Sequence, residues 1–292
     1  MTIICAKEAG IPIKCYSPEL IVYPVIELGE EEWVFLSFFM CSADAAAVNA
    51  LCEKNERRIK AILSRIDSLV IGPGAGRNPV MLSTMQRIIQ YAIESKIPLV
   101  IDGDGLWAVT QEPQLIHQLA WNRLITCSAK NVILTPNQME FTRLWNAVMK
   151  EKKTPAELTT SSSYCSFVKT LAAKSIFFPS LKCRIGVTIL QKGTVDQISN
   201  GVFCYANDSK SSPRRCGGQG DVVAGVMGVM HLWCSRAKDL EFDPLYCACA
   251  LTSSIVREAS RRAFEKERRG MTALSVASEL SSLIDEDELR VC

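Results

Sequence analysis

Histidine is nearly absent from this 292-residue chain, which contains only His117 and His231. A Ser-His-Asp type triad or a histidine-rich metal site is therefore hard to assemble, and each histidine reads as structural. An excess of one charge is also lacking. With 33 Lys and Arg against 31 Asp and Glu, the formal net charge of +2 is too small for a nucleic-acid footprint. The late basic segment from Arg257 to Arg269 is interrupted by Glu258, Glu265 and Glu267 and reads as a solvated helix face. No apolar run reaches the roughly 20 residues of a membrane span. Trp33 to Met40 is strongly apolar, but polar and charged residues flank it. The opening Met1-Thr2-Ile3-Ile4-Cys5-Ala6 lacks the basic flank of a signal or transit peptide. These absences predict a soluble protein with no nucleic-acid or membrane partner, cytoplasmic for the chain as given. An upstream targeting segment and homo-oligomer formation stay open.

Cysteine is plentiful, at 13 residues, but there is no C-x-x-C pair, and many sit in apolar surroundings such as Tyr246-Cys247-Ala248-Cys249-Ala250. Reduced thiols packed as small hydrophobes are expected, rather than a disulfide framework or a zinc site.

The repeated order of strand, glycine- or proline-containing turn and helix predicts an α/β fold. Ser68 to Ile71 leads into Gly72-Pro73-Gly74-Ala75-Gly76-Arg77 and a helix over Met81 to Ser95. Ile97 to Ile101 leads into Asp102-Gly103-Asp104-Gly105 and a helix from Leu106. Asn131 to Leu134 leads into Thr135-Pro136-Asn137 and a helix over Gln138 to Met149. Thr188 to Gln191 is a further strand ending at Lys192-Gly193, and Thr2 to Cys5 and Leu20 to Val25 are strands nearer the start. Lys150 to Tyr164 reads as a surface loop. Beyond Asp221 the chain reads as helical, with Ala248 to Phe264 and Thr272 to Ile284 as candidates and an acidic tail at Asp285 to Glu288. In parallel sheets of this kind ligands bind outside the carboxyl ends of the strands, where all these turns fall.

The densest chemical signal is Arg214-Arg215-Cys216-Gly217-Gly218-Gln219-Gly220-Asp221, running into the small apolar segment Val222 to Met230. Glycines let backbone N–H groups approach an anion, and the start of a helix adds its positive dipole end. A carboxylate beside phosphate is repelled unless it takes a proton from an attacking hydroxyl or binds through a metal. Read as structure only, the same window is a glycine turn with Asp221 satisfying the helix dipole.

Gly-Pro-Gly-Ala-Gly-Arg, Asp-Gly-Asp-Gly-Leu, Thr-Pro-Asn-Gln-Met-Glu-Phe-Thr-Arg-Leu, Gln-Lys-Gly-Thr-Val-Asp and Arg-Arg-Cys-Gly-Gly-Gln-Gly-Asp occur in this order. Together they resemble the ATP-dependent NAD(P)H-hydrate dehydratases of the ribokinase-like superfamily, from about Cys5 to the C-terminal helices. The resemblance implies a three-layer fold with a mostly parallel central sheet and helices on both faces, in a single domain over residues 1–292. It implies an ATP-dependent lyase that restores NADH or NADPH from the hydrate, with Mg2+ accompanying ATP. It also implies Asp221 as the base. Lys192, Gly193, Thr194, Val195 and Asp196, with Ser211, Ser212, Pro213, Arg214, Arg215, Cys216, Gly217, Gly218, Gln219 and Gly220, match the ATP segments. Gly76, Asn137, Gln138, Met139, Glu140, Phe141, Thr142 and Arg143, with Asp221 shared, match the hydrate side. Asn137 and Glu140 are also candidates for the magnesium and phosphate neighbourhood, against the alternative of a helix cap. Asp102 and Asp104 either line the nucleotide cleft or close an Asx turn. Gly103 stands where the family commonly has alanine, a change that loosens the backbone.

Two departures from the family pattern stand out. The usual first strand and helix, with a Tyr-Thr-Gly-Ala-Pro-like segment, have no match. The apolar stretch from Trp33 to Val48 reads as an insertion before a helix near Glu53 to Ser64. The alternatives left open are a small-molecule kinase for a vitamin-like or sugar alcohol, and a shortened nucleotide-binding variant without turnover.

Overall fold

The computed structural model describes residues 1–29, 42–112, 115, 131–158, 165–174, 187–238 and 240–285. Its centre is a six-stranded sheet in the order β3 (Leu69–Ile71), β4 (Leu99–Ile101), β5 (Val132–Leu134), β6 (Thr188–Gln191), β7 (Asp196–Ser199) and β8 (Cys204–Asn207). β3 to β6 are parallel, and β7 and β8 close the far edge as antiparallel strands. β1 (Thr2–Ala6) and β2 (Ile21–Ile26) pair in parallel as a separate two-stranded sheet, beside the mostly parallel central sheet that was expected.

The side-chain alternation of the central strands builds the layers. Leu99, Ile101, Val132, Leu134 and Ile189 point to one face. There they pack with Ile89, Leu106, Phe141, Leu144 and Val168 from α3 (Pro79–Glu94), α4 (Gly103–Gln111), α5 (Gln138–Met149) and α6 (Ser166–Lys174). Val100, Ile133 and Leu190 point to the other, against α7 (Gln219–Arg236), α8 (Pro244–Glu267) and α9 (Ala273–Asp285). The small sheet joins α3 and the long helix α2 (Ser42–Leu63) through Ile4, Ile26, Ile59, Leu63 and Met85. Buried Asn55 fixes that attachment by accepting from Glu27 N at 3.0 Å and donating to Glu27 O at 2.8 Å.

Several helix starts follow local chemistry. Asn78 Oδ1 accepts from Val80 N at 2.9 Å, with Pro79 opening α3, and Asp243 accepts from Leu245 N ahead of Pro244 in α8. α2 begins at Ser42 rather than near Glu53, so Ser42 to Val48 of the expected insertion form its first turns. Trp33 to Cys41 and His117 lie outside the described residues, as do 159–164 of the expected loop and the acidic tail from residue 286. His231 is buried within α7 and belongs to the packing, as expected. The described cysteines are all free thiols, and Cys52, Cys234, Cys247 and Cys249 are buried. No helix among the described residues is long and apolar enough to cross a membrane.

The ends of β3 and β4 interlock through glycine. Gly72 has φ +110°, and a Cβ there would lie 2.0 Å from Asp102 O and 2.3 Å from Gly105 N. Gly72→Ala is expected to cost at least about 2 kcal/mol, because backbone on both sides must move. Gly74→Ala, with φ +61° but open space around it, should cost only about 1–2 kcal/mol. Urea unfolding of the two variants checks the difference; equal losses would show that the strand ends are not in contact.

Candidate active site

Four parallel strands deliver their carboxyl ends to one side of the sheet, and the polar groups found there are in contact with one another. Asp102 follows β4 and Lys192 follows β6. Lys192 Nζ donates to Asp102 Oδ1 at 2.6 Å, with the lysine side chain 13% exposed and the aspartate side chain 4%. The lysine backbone is fixed as well, since its N–H donates to Pro136 O at 2.8 Å and the residue bridges in parallel with Asn137 after β5. Asp102 precedes α4 but makes no side-chain cap to it, because its carboxylate is turned to Lys192. This differs from an Asx turn.

α7 opens beside this pair. Its N-cap is Gly218 with no capping side chain, Asp221 lies in its first turn, and a Cβ on Gly220 would sit 3.4 Å from Lys192 Nζ. The glycine loop, the helix start and the ammonium of Lys192 therefore converge, an arrangement suited to an anion. Asp221 is open to solvent as a residue, yet the surrounding protein desolvates its carboxylate. That desolvation raises its proton affinity above the ordinary carboxylate value, the charge of Asp102 adds to the effect, and Lys192 opposes it. A carboxylate poised in this way is suited to accept a proton.

The other residues matched to the ATP segments divide into those facing outward and those holding the loops. Gly193 and Thr194 are exposed, as are Pro213, Arg215 and Gly217, while Val195, Ser211, Arg214 and Cys216 are half-buried. Asp196 faces inward. It accepts from Gly193 N at 2.9 Å and Ser253 Oγ at 2.7 Å and lies 3.4 Å from Arg257 Nη1. Arg257 also donates to Thr194 O and Ser209 O, so one guanidinium from α8 braces both loops. Gln219 is turned back to Ser260 on α8 at 2.8 Å, and Ser212 is bonded to the backbone of Arg214. The side chains of Asp196, Gln219 and Ser212 thus shape the site instead of facing into it.

On the other side, Asn137 and Glu140 form a reciprocal capping box for α5. Asn137 Oδ1 accepts from Met139 N and Glu140 N, and Glu140 Oε2 accepts from Asn137 N at 2.8 Å. The capping alternative holds for both. Gln138 is bonded to Gln191 and Pro155 O. Phe141 is fully buried and Thr142 nearly so, with its hydroxyl on Gln138 O, because helical periodicity turns these two side chains toward the core. Met139 is exposed and Arg143 half-buried on the outer side. Gly76 N donates to Asp104 Oδ2 at 2.9 Å, and Arg77 Nε donates to Asp104 Oδ1 at 3.1 Å, so Asp104 also makes no Asx turn. Gly103 has φ +50°, a left-handed conformation in which glycine relieves strain instead of loosening a turn that alanine would hold.

A shallow cleft lies here, lined by Arg77, Gly103, Leu106, Trp107, Thr110, Glu140 and Arg143. Arg77 and Trp107 were not picked out as site residues from the sequence, although Arg77 follows Gly76 directly in a motif that was. Arg257 was missed because its partners are 48 and 63 residues away along the chain.

Among the described residues no group of three or more His, Cys, Asp or Glu is placed to hold a metal ion. Asp102 is spent on Lys192, and Asn137 and Glu140 on their helix. This donor set does not fit a protein-held ion. An ion arriving on the phosphates of a nucleotide needs no such cage.

Residues 1–282 match the family model described as NAD(P)H-hydrate dehydratase. The chain is 35% identical over 283 residues to the ATP-dependent (S)-NAD(P)H-hydrate dehydratase of Mus musculus, covering 96% of this chain and 68% of that protein. It is 35% identical over 298 residues to the protein of the same name from Batrachochytrium dendrobatidis, covering 98% and 83%. Among solved structures, a hypothetical protein of Streptococcus mutans superimposes with TM-score 0.65 at 18% identity, covering 98% of this chain and 79% of that one. A ribokinase-like superfamily protein of Enterococcus faecalis does so with TM-score 0.56 at 17% identity, covering 98% and 76%. These two likenesses show the fold.

The charges around Asp221 have opposite signs, so removing them should move its proton affinity in opposite directions. Asp102→Asn removes a negative neighbour and is expected to lower the pKa of Asp221; Lys192→Met removes a positive one and is expected to raise it. Carboxyl carbon NMR titration of the three proteins checks this. Shifts of the same sign would mean that Asp221 does not sense the pair.

Proposed function

The chain belongs to the NAD(P)H-hydrate dehydratase family, and from that membership we propose that it uses ATP to dehydrate (S)-NADHX and (S)-NADPHX to NADH and NADPH, releasing ADP and phosphate. It is a hydro-lyase built on a ribokinase-like fold. The observation that carries the assignment of roles is the placement of Asp221 in the first turn of α7, behind Gly217 to Gly220 and beside the Lys192–Asp102 pair.

Hydroxide is a poor leaving group, so phosphorylation of the ring hydroxyl makes elimination feasible. Asp221 accepts the hydroxyl proton as the substrate oxygen bonds to the terminal phosphorus of ATP and the bond from that phosphorus to ADP breaks. The C–O bond of the phosphorylated hydrate then breaks, phosphate leaves with the bonding pair, and loss of a proton from the adjacent carbon restores the ring double bond. The raised proton affinity of Asp221 favours the first transfer. Gly217, Gly218 and Gly220 let the backbone approach the transferring group, and the start of α7 and Lys192 stabilise its charge. Mg2+ enters as the charge partner of the ATP phosphates, and no step here runs through a protein-held ion.

The site sets a clear expectation for the base. Asp221→Asn should lower turnover of the hydrate by about 10²–10⁴-fold while ATP binding is retained. Coupled measurement of ADP and NADH formation with purified protein and ATP tests both role and reaction. ATP consumption that is the same with and without the hydrate would remove the dehydratase assignment. Phosphate retained on a stable alcohol product would point to a small-molecule kinase instead.

A further inference from the structure

Beside the proposed phosphoryl-transfer centre, two cations share one aromatic ring. The guanidinium carbon of Arg77 lies 4.5 Å from the Trp107 ring centroid, and that of Arg143 lies 5.6 Å from it. All three residues line the same cleft. Stacking on an indole leaves the N–H edge of a guanidinium available for in-plane hydrogen bonds. Arg77 spends its Nε on Asp104, which also holds Gly76 N and so sets the loop carrying Arg77. Half-buried Arg143 has no ion pair or hydrogen bond among the described residues.

The nearby negative groups do not cancel this arrangement. Asp104 is engaged with Arg77 and Gly76. Glu140 contributes to the cleft wall, but one of its oxygens accepts from Asn137 N at the start of α5, where the helix dipole stabilises the carboxylate. What remains is a preset guanidinium edge, with a second beside it, lacking the acceptor that a half-buried cation calls for. The acceptor that matches a guanidinium fork in two-point geometry is a carboxylate or a phosphate. The substrate proposed above carries phosphates and no carboxylate.

We propose that Arg77, oriented by Asp104, and Arg143, both set over the Trp107 ring, form a seat for a phosphate group of the hydrated dinucleotide, separate from the glycine loop that receives ATP. The seat rests on the dehydratase reading for its ligand and deepens it by assigning the part of the substrate that is held. Anchoring a remote phosphate here would position the ring hydroxyl against Asp221 without taking part in the chemistry.

The test is calorimetric binding to the full chain, with the ATP site filled by a non-hydrolysable analogue. The probes are NADH and its two phosphate-free halves, reduced nicotinamide riboside and adenosine. Arg143→Gln is expected to weaken NADH by about tenfold or more and to leave both halves unchanged. Arg143→Lys, which keeps the charge but not the fork, should fall between. Affinity for the ATP analogue should not move, and in the dehydratase assay the loss should appear in KM with kcat little changed. If Arg143→Gln does not melt cooperatively, Trp107→Leu and Arg143→Lys carry the same comparison. A loss on either half equal to that on NADH would overturn the seat, as would a loss for the ATP analogue, an unchanged NADH affinity or no NADH binding by the unmodified chain. NADH bound through Arg143 by a protein that does not dehydrate the hydrate would retire the dehydratase reading alone. Dehydration with an unchanged KM in Arg143→Gln would retire the seat alone.

Discussion

The pairing of Lys192 with Asp102 is the contact on which the site depends. Two charges taken largely out of water cost several kcal/mol each, and their mutual attraction offsets this only where the geometry is good. Here the 2.6 Å contact joins the end of β6 to the end of β4, across the intervening β5. The same lysine is held by its backbone to Pro136 and Asn137 at the end of β5. Three strand ends are thus tied at one residue, and α7 starts against it. Removing either charge alone would leave the other buried and unmatched, a loss of about 3–5 kcal/mol by analogy with other buried pairs.

The glycine loop depends on a different support. It has few side chains of its own with which to hold a shape, and the necessary contacts come from α8. Gln219 is held by Ser260, while Asp196, Ser253 and Arg257 lock the β6–β7 turn against the same helix. A loop left bare for phosphate is made rigid from behind. The ring of residues visible from the cleft is consequently smaller than the set of residues that the site requires.

Much of this was legible in the sequence because it is local. β6 and α5 coincide with their expected bounds, and β3 to β5 and α3 shift by only one or two residues, since alternation and cap residues specify them over short distances. The hairpin β7–β8 was missed. Asp196 to Ser199 and Cys204 to Asn207 are four residues each and carry polar groups that read as loop. Their pairing with β6 is a long-range result. At the site, sequence order brought out Asp221 and the glycine loop, but it could not tell which side chains of Asn137 to Arg143 face out. That division comes from the helical turn, which buries Phe141 and presents Arg143. Nor could it separate Asp196 as a brace from its exposed neighbours Gly193 and Thr194, because the partners of Asp196 lie on α8.

The turn after β3 has another effect, at the margin of the sheet. Among the described residues β3 is the first strand of the central sheet and has a neighbour on one side only. A bare strand margin recruits extended segments of other chains, and the risk of aggregation grows with the length of backbone on offer. Here Gly72 turns the chain away after three strand residues, and Pro73 has no N–H to lend to a longer ladder. The Gly72-Pro73 corner that brings the β3 and β4 ends together thereby also limits the length of backbone that this margin can offer.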